Sequence, residues 1–265
     1  MTPQIEALVS AAGPAALWAV GSADAVDAAR PGTPADDWEA PLDAGALTPL
    51  LALWPVLGGL VARGELTLHT PLTAYGATAP AGLPARTTTA HHLLTRGDGP
   101  APLDALTRLA EHLCGTPLAD CARTRVWGPL GMARTHYAGA ALRTSAADLA
   151  RFLRHLLADG DAATGAEDTA DRPVPRAWTA ESLRIRTGEL TPSRGLLWHP
   201  APAGVWTHHP PSGSGPAVWI SPRQGRWALL VPAPGSTGTG PSRTAFREAA
   251  FGPAPARAAR AADVR

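Results

Sequence analysis

Cysteine, tyrosine and phenylalanine are scarce in these 265 residues, at two, two and three copies. Cys114 and Cys121 stand seven apart in a helix-rich region, and one helix carrying both would hold them about 10 Å apart, outside disulfide reach. Reduced structural thiols are the expectation. No window reads as the eighteen or so apolar residues of a membrane span. Met1-Thr-Pro-Gln-Ile-Glu6 has no basic n-region, and Gly13-Pro14 breaks the first apolar run before it takes signal-peptide form. A cytoplasmic protein without a membrane partner is therefore expected. Excess charge of one sign is missing too. Lys+Arg 23 against Asp+Glu 22 leaves a formal net charge of +1, which gives no electrostatic footprint for nucleic acid. Neither a Cys/His cluster nor ligands at i,i+4 are visible, so no metal and no other cofactor is expected.

What is present suits one catalytic-size domain, with 45% hydrophobic residues to build its core. Thr2 and Pro3 open a short helix closed by Gly13. Ala15 to Val20 reads as a first strand, and Asp24 to Glu39 as a loop-rich connection. Leu50, Leu53, Trp54, Leu57, Leu60 and Val61 recur at helical spacing. Pro55 inside that run removes a backbone donor, which predicts a kink or a late start. Residues 87 to 159 read as helices: one opened by Thr87 or Thr88, one from Asp104 to Cys114, and one begun by the capping box Ser145-Ala-Ala-Asp148. Leu149, Phe152, Leu153, Leu156 and Leu157 form the apolar stripe of the last. Asp159 to Pro175 reads as a surface loop. Strand composition returns over Val205 to Pro232, Thr244 to Phe251 closes as a helix, and 253–265 reads as a disordered tail.

Several phrases occur together in a telling order. Leu57-Gly-Gly-Leu-Val-Ala-Arg-Gly-Glu-Leu-Thr-Leu-His-Thr-Pro71 is followed by Thr89-Ala-His-His-Leu-Leu-Thr95 and Val126-Trp-Gly-Pro-Leu-Gly-Met132. Then come Ala138-Gly-Ala-Ala-Leu-Arg-Thr-Ser-Ala-Ala-Asp-Leu-Ala-Arg-Phe152, Arg194-Gly-Leu-Leu-Trp198 and Ala217-Val-Trp-Ile-Ser-Pro222. This series resembles the class C β-lactamases and related penicillin-binding-protein-like serine hydrolases, across roughly residues 40 to 235. The resemblance implies a β-lactamase/transpeptidase-like fold of α/β plus all-α class. An antiparallel sheet from both chain ends would be flanked by helices, with a helical subdomain inserted. The single domain would span 1–252, its α/β part being about 1–64 and 176–252 and its helical part about 65–175. Arg194 to Trp198 and Ala217 to Pro222 would be late strands.

The chemistry that the resemblance implies is degraded here. Such hydrolases attack a carbonyl with the serine of Ser-x-x-Lys, assisted by a Tyr-x-Asn or Ser-x-Asn segment, and line the pocket with a Lys-Thr-Gly or His-Thr-Gly strand. Asp43-Ala-Gly-Ala-Leu-Thr-Pro49 places Ala46 at the serine and Pro49 at the lysine. After Thr95-Arg-Gly-Asp-Gly-Pro100 the loop that would carry Tyr-x-Asn is cut out, and neither Tyr75 nor Tyr137 matches. His209-Pro210-Pro211 stands at His-Thr-Gly, to within one residue. Thr48 is a displaced-nucleophile candidate, but without a base beside it a helix N-cap is its expected role.

The residues expected near the altered pocket are Ala46, Thr48, Pro49, Arg96, His208, Ser212, Ser214 and Trp206, with Asp43 beside them. His209 and Asp98 are the acid–base candidates, since imidazole titrates near neutrality. Nine tryptophans are many for this length, and Trp38, Trp198, Trp206 and Trp219 are candidates to line an apolar cleft, with core packing as their ordinary role. His91-His92 reads as helix surface and core. Three functions follow. The leading one is a repurposed enzyme that binds and transforms a small molecule in specialised metabolism, by acid–base chemistry or shape-guided cyclisation. The others are a ligand- or partner-binding pseudoenzyme and a residual esterase or amidase. Sequence does not set the oligomeric state. With Ala46 and Pro49 at the catalytic positions, a β-lactam, active ester or fluorophosphonate is expected to leave no covalent adduct on intact-mass spectrometry. A stoichiometric adduct on Thr48 or Ser212 would restore the hydrolase reading.

Overall fold

The computed structural model describes residues 2–12, 16–30, 38–84, 86–96, 99–158, 172–188, 192–209, 215–232 and 242–252. Helix α1 (Thr2–Ala12) leads into strands β1 (Leu17–Ser22) and β2 (Val26–Arg30). From the other end of the chain come β6 (His199–Ala201), β7 (Val205–His208), β8 (Ala217–Ser221), β9 (Arg226–Val231) and helix α8 (Arg243–Phe251). Together the strands make a six-stranded antiparallel sheet of order β2-β1-β9-β8-β7-β6. The chain ends meet there as expected: Leu17 pairs with Val231 and Ser22 with Arg226. Two departures concern this sheet. Residues 26–30 are not loop but the edge strand β2, half-buried on alternate positions, and an edge strand needs few apolar residues. Arg194 to Trp198 is no strand either; pairing begins only at His199.

Period-2 alternation divides the sheet's side chains between two cores. Trp18, Val20, Ala217, Trp219, Ala228 and Leu230 face Ile5 and Val9 of α1 and Phe246 and Ala250 of α8. Ala19, Val218, Ile220, Trp227 and Leu229 face the larger core built with the helices.

At the centre of that larger core runs one continuous helical stretch, Gly45–Ala62, whose regular part is α2 (Trp54–Ala62). Pro55 shapes it as its chemistry requires. Lacking an N–H, Pro55 leaves the carbonyl of Leu51 without its helical donor. The indole Nε1 of Trp127 donates to that carbonyl instead, at 2.9 Å. One turn earlier the ladder widens to i→i+5 bonds over Pro49–Leu53, where the Trp54 N–H reaches the Pro49 oxygen. The expected kink is thus a π-type turn. A correction accompanies it: Gly45–Ala62 is long and apolar enough by composition to cross a membrane, which the reading of the sequence missed. Its buried share, 67%, lies inside the protein.

Trp54 meets Trp198 and Phe152 edge-on at 6.1 and 6.4 Å, with Trp178 tilted at 5.9 Å. Its Nε1 donates to the buried Ser182 hydroxyl at 3.0 Å. A Cβ on Gly58 would overlap the Trp178 indole, so the glycine is what lets α7 (Arg176–Ser182) approach α2.

The intervening chain forms α3 (Ala90–Arg96), α4 (Pro100–Cys114), α5 (Leu118–Ala122) and α6 (Ala146–Leu157). It is not helical throughout. A small sheet of β3 (Leu42–Asp43), β4 (His136–Ala138) and β5 (Ala141–Thr144), in the order β3-β5-β4, interrupts it. The N-cap half of the expected capping box forms: Ser145 Oγ accepts from the Asp148 N–H at 3.1 Å. The Asp148 carboxylate, wholly buried, accepts from the Arg134 N–H and the Thr135 hydroxyl and pairs with Arg151.

Helix α4 ends at Gly115 in the left-handed region, φ 68°, so a second helix, not the same one, carries Cys121. The expected separation is therefore overturned, and the two sulfurs lie 2.8 Å apart. The putting of a methyl on Gly58 is expected to cost about 1–3 kcal/mol, read as a lower urea midpoint at unchanged slope. Gly59→Ala, whose methyl meets only the flexible end of Arg63, is expected to be neutral or stabilising.

Candidate functional site

Sequence places the site at the first turn of the central helix, and the structure shows what shapes that turn. Asp43 ends β3 and accepts the Gly45 N–H on Oδ1 at 2.8 Å, a local side-chain turn. Gly45 adopts φ 52°, a left-handed conformation suited to glycine. Gly45–Leu47 then forms a single 3₁₀ turn and the helix continues. Thr48 does not cap it: its backbone is already helical and its side chain accepts no capping bond. The turn residue that does accept a backbone N–H is Asp43, because the chain bends at Gly45, three residues earlier than expected. Pro49 opens the wide turn over 49–53.

Opposite Ala46 stands His208, the last residue of β7. Its ring is buried, and Nε2 lies 2.9 Å from the Ala46 carbonyl oxygen. Nδ1 lies 2.6 Å from the Leu197 carbonyl oxygen. Both neighbours are acceptors, so each nitrogen must donate; a neutral imidazole makes one of the two bonds, and both together require the doubly protonated ring. Leu197 itself has φ 62°, unusual for a branched side chain. Its N–H donates to the Leu94 carbonyl of α3 at 3.1 Å while its own carbonyl receives His208. Partners on both sides hold it in that conformation. Three segments are so tied in series: the end of α3, the 194–198 turn, and the strand end against the Ala46 turn.

It is His208, not His209, that turns toward Ala46. His209 is half-buried and stacks on His199 of β6, ring centroids 5.9 Å apart at 23°. Arg96 ends α3. Asp98, Ser212 and Ser214 lie outside the described residues, as do Pro210 and Pro211. Trp206 is on the same face of β7 as His208 but at its other end, where it helps line a cavity of about 500 Å³ with Leu156, Leu183, Arg176 and Arg223. Trp198 and Trp219 are core, on opposite faces of the sheet, and Trp38 packs half-buried against the larger core.

His91 of the doublet stacks on His69 at 4.7 Å, and burial holds its pKa down at about 4, whereas His92 is exposed. Among the described residues no three His, Cys, Asp or Glu gather as a metal site. Two sequence facts bear on the motifs. All 23 basic residues are arginine, and the chain contains no asparagine, so it has no lysine base and no Tyr-x-Asn anywhere. Tyr75 spends its oxygen on the Thr67 N–H at 2.8 Å, and Tyr137 packs against Trp127.

His208→Ala removes the ring that joins three segments, through one hydrogen bond if neutral and two if doubly protonated, and a loss of about 1–3 kcal/mol is expected. His209→Ala, at a half-exposed stacked ring, is expected to cost under about 1 kcal/mol. Chemical denaturation of the two variants side by side checks this, and equal losses would remove His208 as the tie.

No family model matches the chain, and no curated protein matches it. Solved structures do. A β-lactamase from Mycobacterium bovis aligns with TM-score 0.67 and 17% identity over 94% of this chain and 99% of that one. An octameric penicillin-binding protein homologue from Pyrococcus abyssi aligns with TM-score 0.67 and 15% identity, over 94% of this chain and 76% of that one. A class C β-lactamase from Rhodobacter sphaeroides aligns with TM-score 0.66 and 13% identity, over 92% and 96% of the two chains. A sheet closed by both chain ends, a buried helix running behind its site turn and these alignments agree: the chain has the β-lactamase/transpeptidase-like fold.

Proposed function

We propose that this β-lactamase-fold protein has given up acyl-enzyme hydrolysis and binds a small molecule at the seam of its sheet and helices without turning it over. The observation that carries the reading is His208. The imidazole nearest the nucleophile position directs both nitrogens at main-chain carbonyls, so neither lone pair is offered to a substrate. A methyl at Ala46 and an imino ring at Pro49 supply no nucleophile or base beside it. A scaffold of this kind, with apolar walls and a few polar groups at a subdomain seam, suits ligand binding.

A second reading keeps chemistry, and the His199–His209 stack favours it. Two parallel imidazoles, half-buried at the sheet edge, supply an acid–base pair in the way that His208 does not. In that case the protein transforms its ligand, as a step of specialised metabolism, with Asp98 as the further candidate.

Native mass spectrometry of the protein purified from its producing cells separates these outcomes. A bound small molecule is expected with the native chain and none with Ala46→Trp, which fills the space before the helix turn. An Ala46→Trp variant that folds and retains the molecule would place function on another surface. His209→Gln is expected to keep ligand and melting temperature; if it instead converts a bound product into a bound precursor, the catalytic reading replaces the binding one. Ala46→Ser with Pro49→Lys is expected to remain without hydrolysis, since the chain contains no Tyr-x-Asn segment.

A further inference from the structure

A second chemical feature lies away from the seam, at the corner between α4 and α5. Gly115 turns the chain, and Pro117 then starts the next helix, so that Cys114 and Cys121 meet with sulfurs 2.8 Å apart. Two thiols so placed need to close by roughly 0.8 Å to form a disulfide. They differ in environment. Cys114 is half-buried and Cys121 buried. Arg125 of the 123–127 turn and Arg63 at the end of α2 both act on Cys114 electrostatically, opposed by Glu65.

Those same three charged side chains line a cavity of about 440 Å³, together with Arg172, Pro55, Val56 and Gly59. Glu65 is itself committed to Arg63 at 2.6 Å, so the charges that act on Cys114, two arginines against one carboxylate, favour its thiolate. A partly accessible thiol under such charges with a second thiol in contact is the arrangement of an oxidisable cysteine and its resolving partner.

We propose that Cys114 and Cys121 are a peroxide-oxidised dithiol, in which Cys114 is attacked first and Cys121 resolves it to an intramolecular disulfide. The Cys114 thiolate attacks one peroxide oxygen. The O–O bond breaks, hydroxide leaves and takes a proton from solvent to become water, and Cys114 becomes a sulfenic acid. The Cys121 sulfur then displaces that hydroxyl. The S–S bond forms, the S–O bond breaks, and the Cys121 proton leaves with the hydroxyl as the second water. Two thiols are oxidised by two electrons in all, and one peroxide is reduced to two waters.

Titration supports the order of attack. The Cys121 contact, followed by the arginines, lowers the Cys114 pKa to about 7, while the Cys114 contact and burial push Cys121 up. Cys114 is then the more readily ionised of the two at neutral pH, and Cys121 remains the thiol.

The test uses the full-length reduced chain and hydrogen peroxide, with free cysteine as a control for oxidant strength. After treatment, unfolding and maleimide labelling, intact mass is expected to show a monomer two hydrogens lighter with no label, and dithiothreitol is expected to restore both labels. Before oxidation, the rate at which iodoacetamide modifies Cys114 in the folded chain is expected to titrate near pH 7. Cys121→Ser is expected to accumulate a dimedone-trappable sulfenic acid on Cys114. Should that variant fail to fold, the wild-type measurements decide alone. Two labels remaining under peroxide that consumes free cysteine, a disulfide between chains, or sulfinic acid on Cys114 in place of the disulfide would each overturn the proposal.

Discussion

A buried carbonyl without a donor governs the centre of this protein. Pro55 sits within the core helix, where it cannot supply the N–H that Leu51 needs, and an unpaired carbonyl at that depth costs about 1–3 kcal/mol. Trp127 supplies the donor from a helical segment 76 residues away. That bond ties the turn beginning at Val126 to the central helix. The wide turn over 49–53 adjusts the helix so that its first turn still faces the end of β7. Trp178 and Trp198 pack on Trp54 of the same helix, and Gly58 leaves the room that the Trp178 indole occupies.

The seam between the sheet and the central helix is joined through main-chain carbonyls. A histidine whose ring nitrogens face the carbonyls of Leu197 and Ala46 does the joining. The strain of a left-handed Leu197 persists because bonds on both sides determine it. Polar atoms at the seam are thereby satisfied, while the indole Nε1 atoms of Trp178 and Trp198 nearby in the core have no partner among the described residues. Hydrogen-bonding capacity is concentrated where segments must be joined, and the aromatic cluster relies on packing area.

The α4–α5 corner shows the same economy of sequence with a different result. One glycine past a helix end brings together two thiols that linear spacing would keep apart, and their contact and unequal burial differentiate them while two arginines from separate elements act on both. None of those four residues is adjacent to another in the chain.

By itself the sequence determined what local periodicity and short phrases encode. The helical stripe from Leu50 to Val61, the Ser145 cap with its stripe from Leu149 to Leu157, the paired strands at 217–221 and 226–231 and their union with the first strand were all legible, because each rests on repeats of two or 3.6 residues or on turn chemistry within four residues. So was the absence of a serine and lysine at Ala46 and Pro49. Tertiary structure alone decided the rest. Val26–Arg30 carries too little apolar surface to announce an edge strand, and β4 and β5 are too short to show a period. Which of His208 and His209 faces the helix depends on a strand's parity, which one slipped residue reverses. The Asp43 turn in place of a Thr48 cap, the contact of Cys114 with Cys121 and the Trp127 bond to Leu51 all depend on where distant segments come to rest. Spacing along the chain holds no such distances, since they are set by the packing of the whole core.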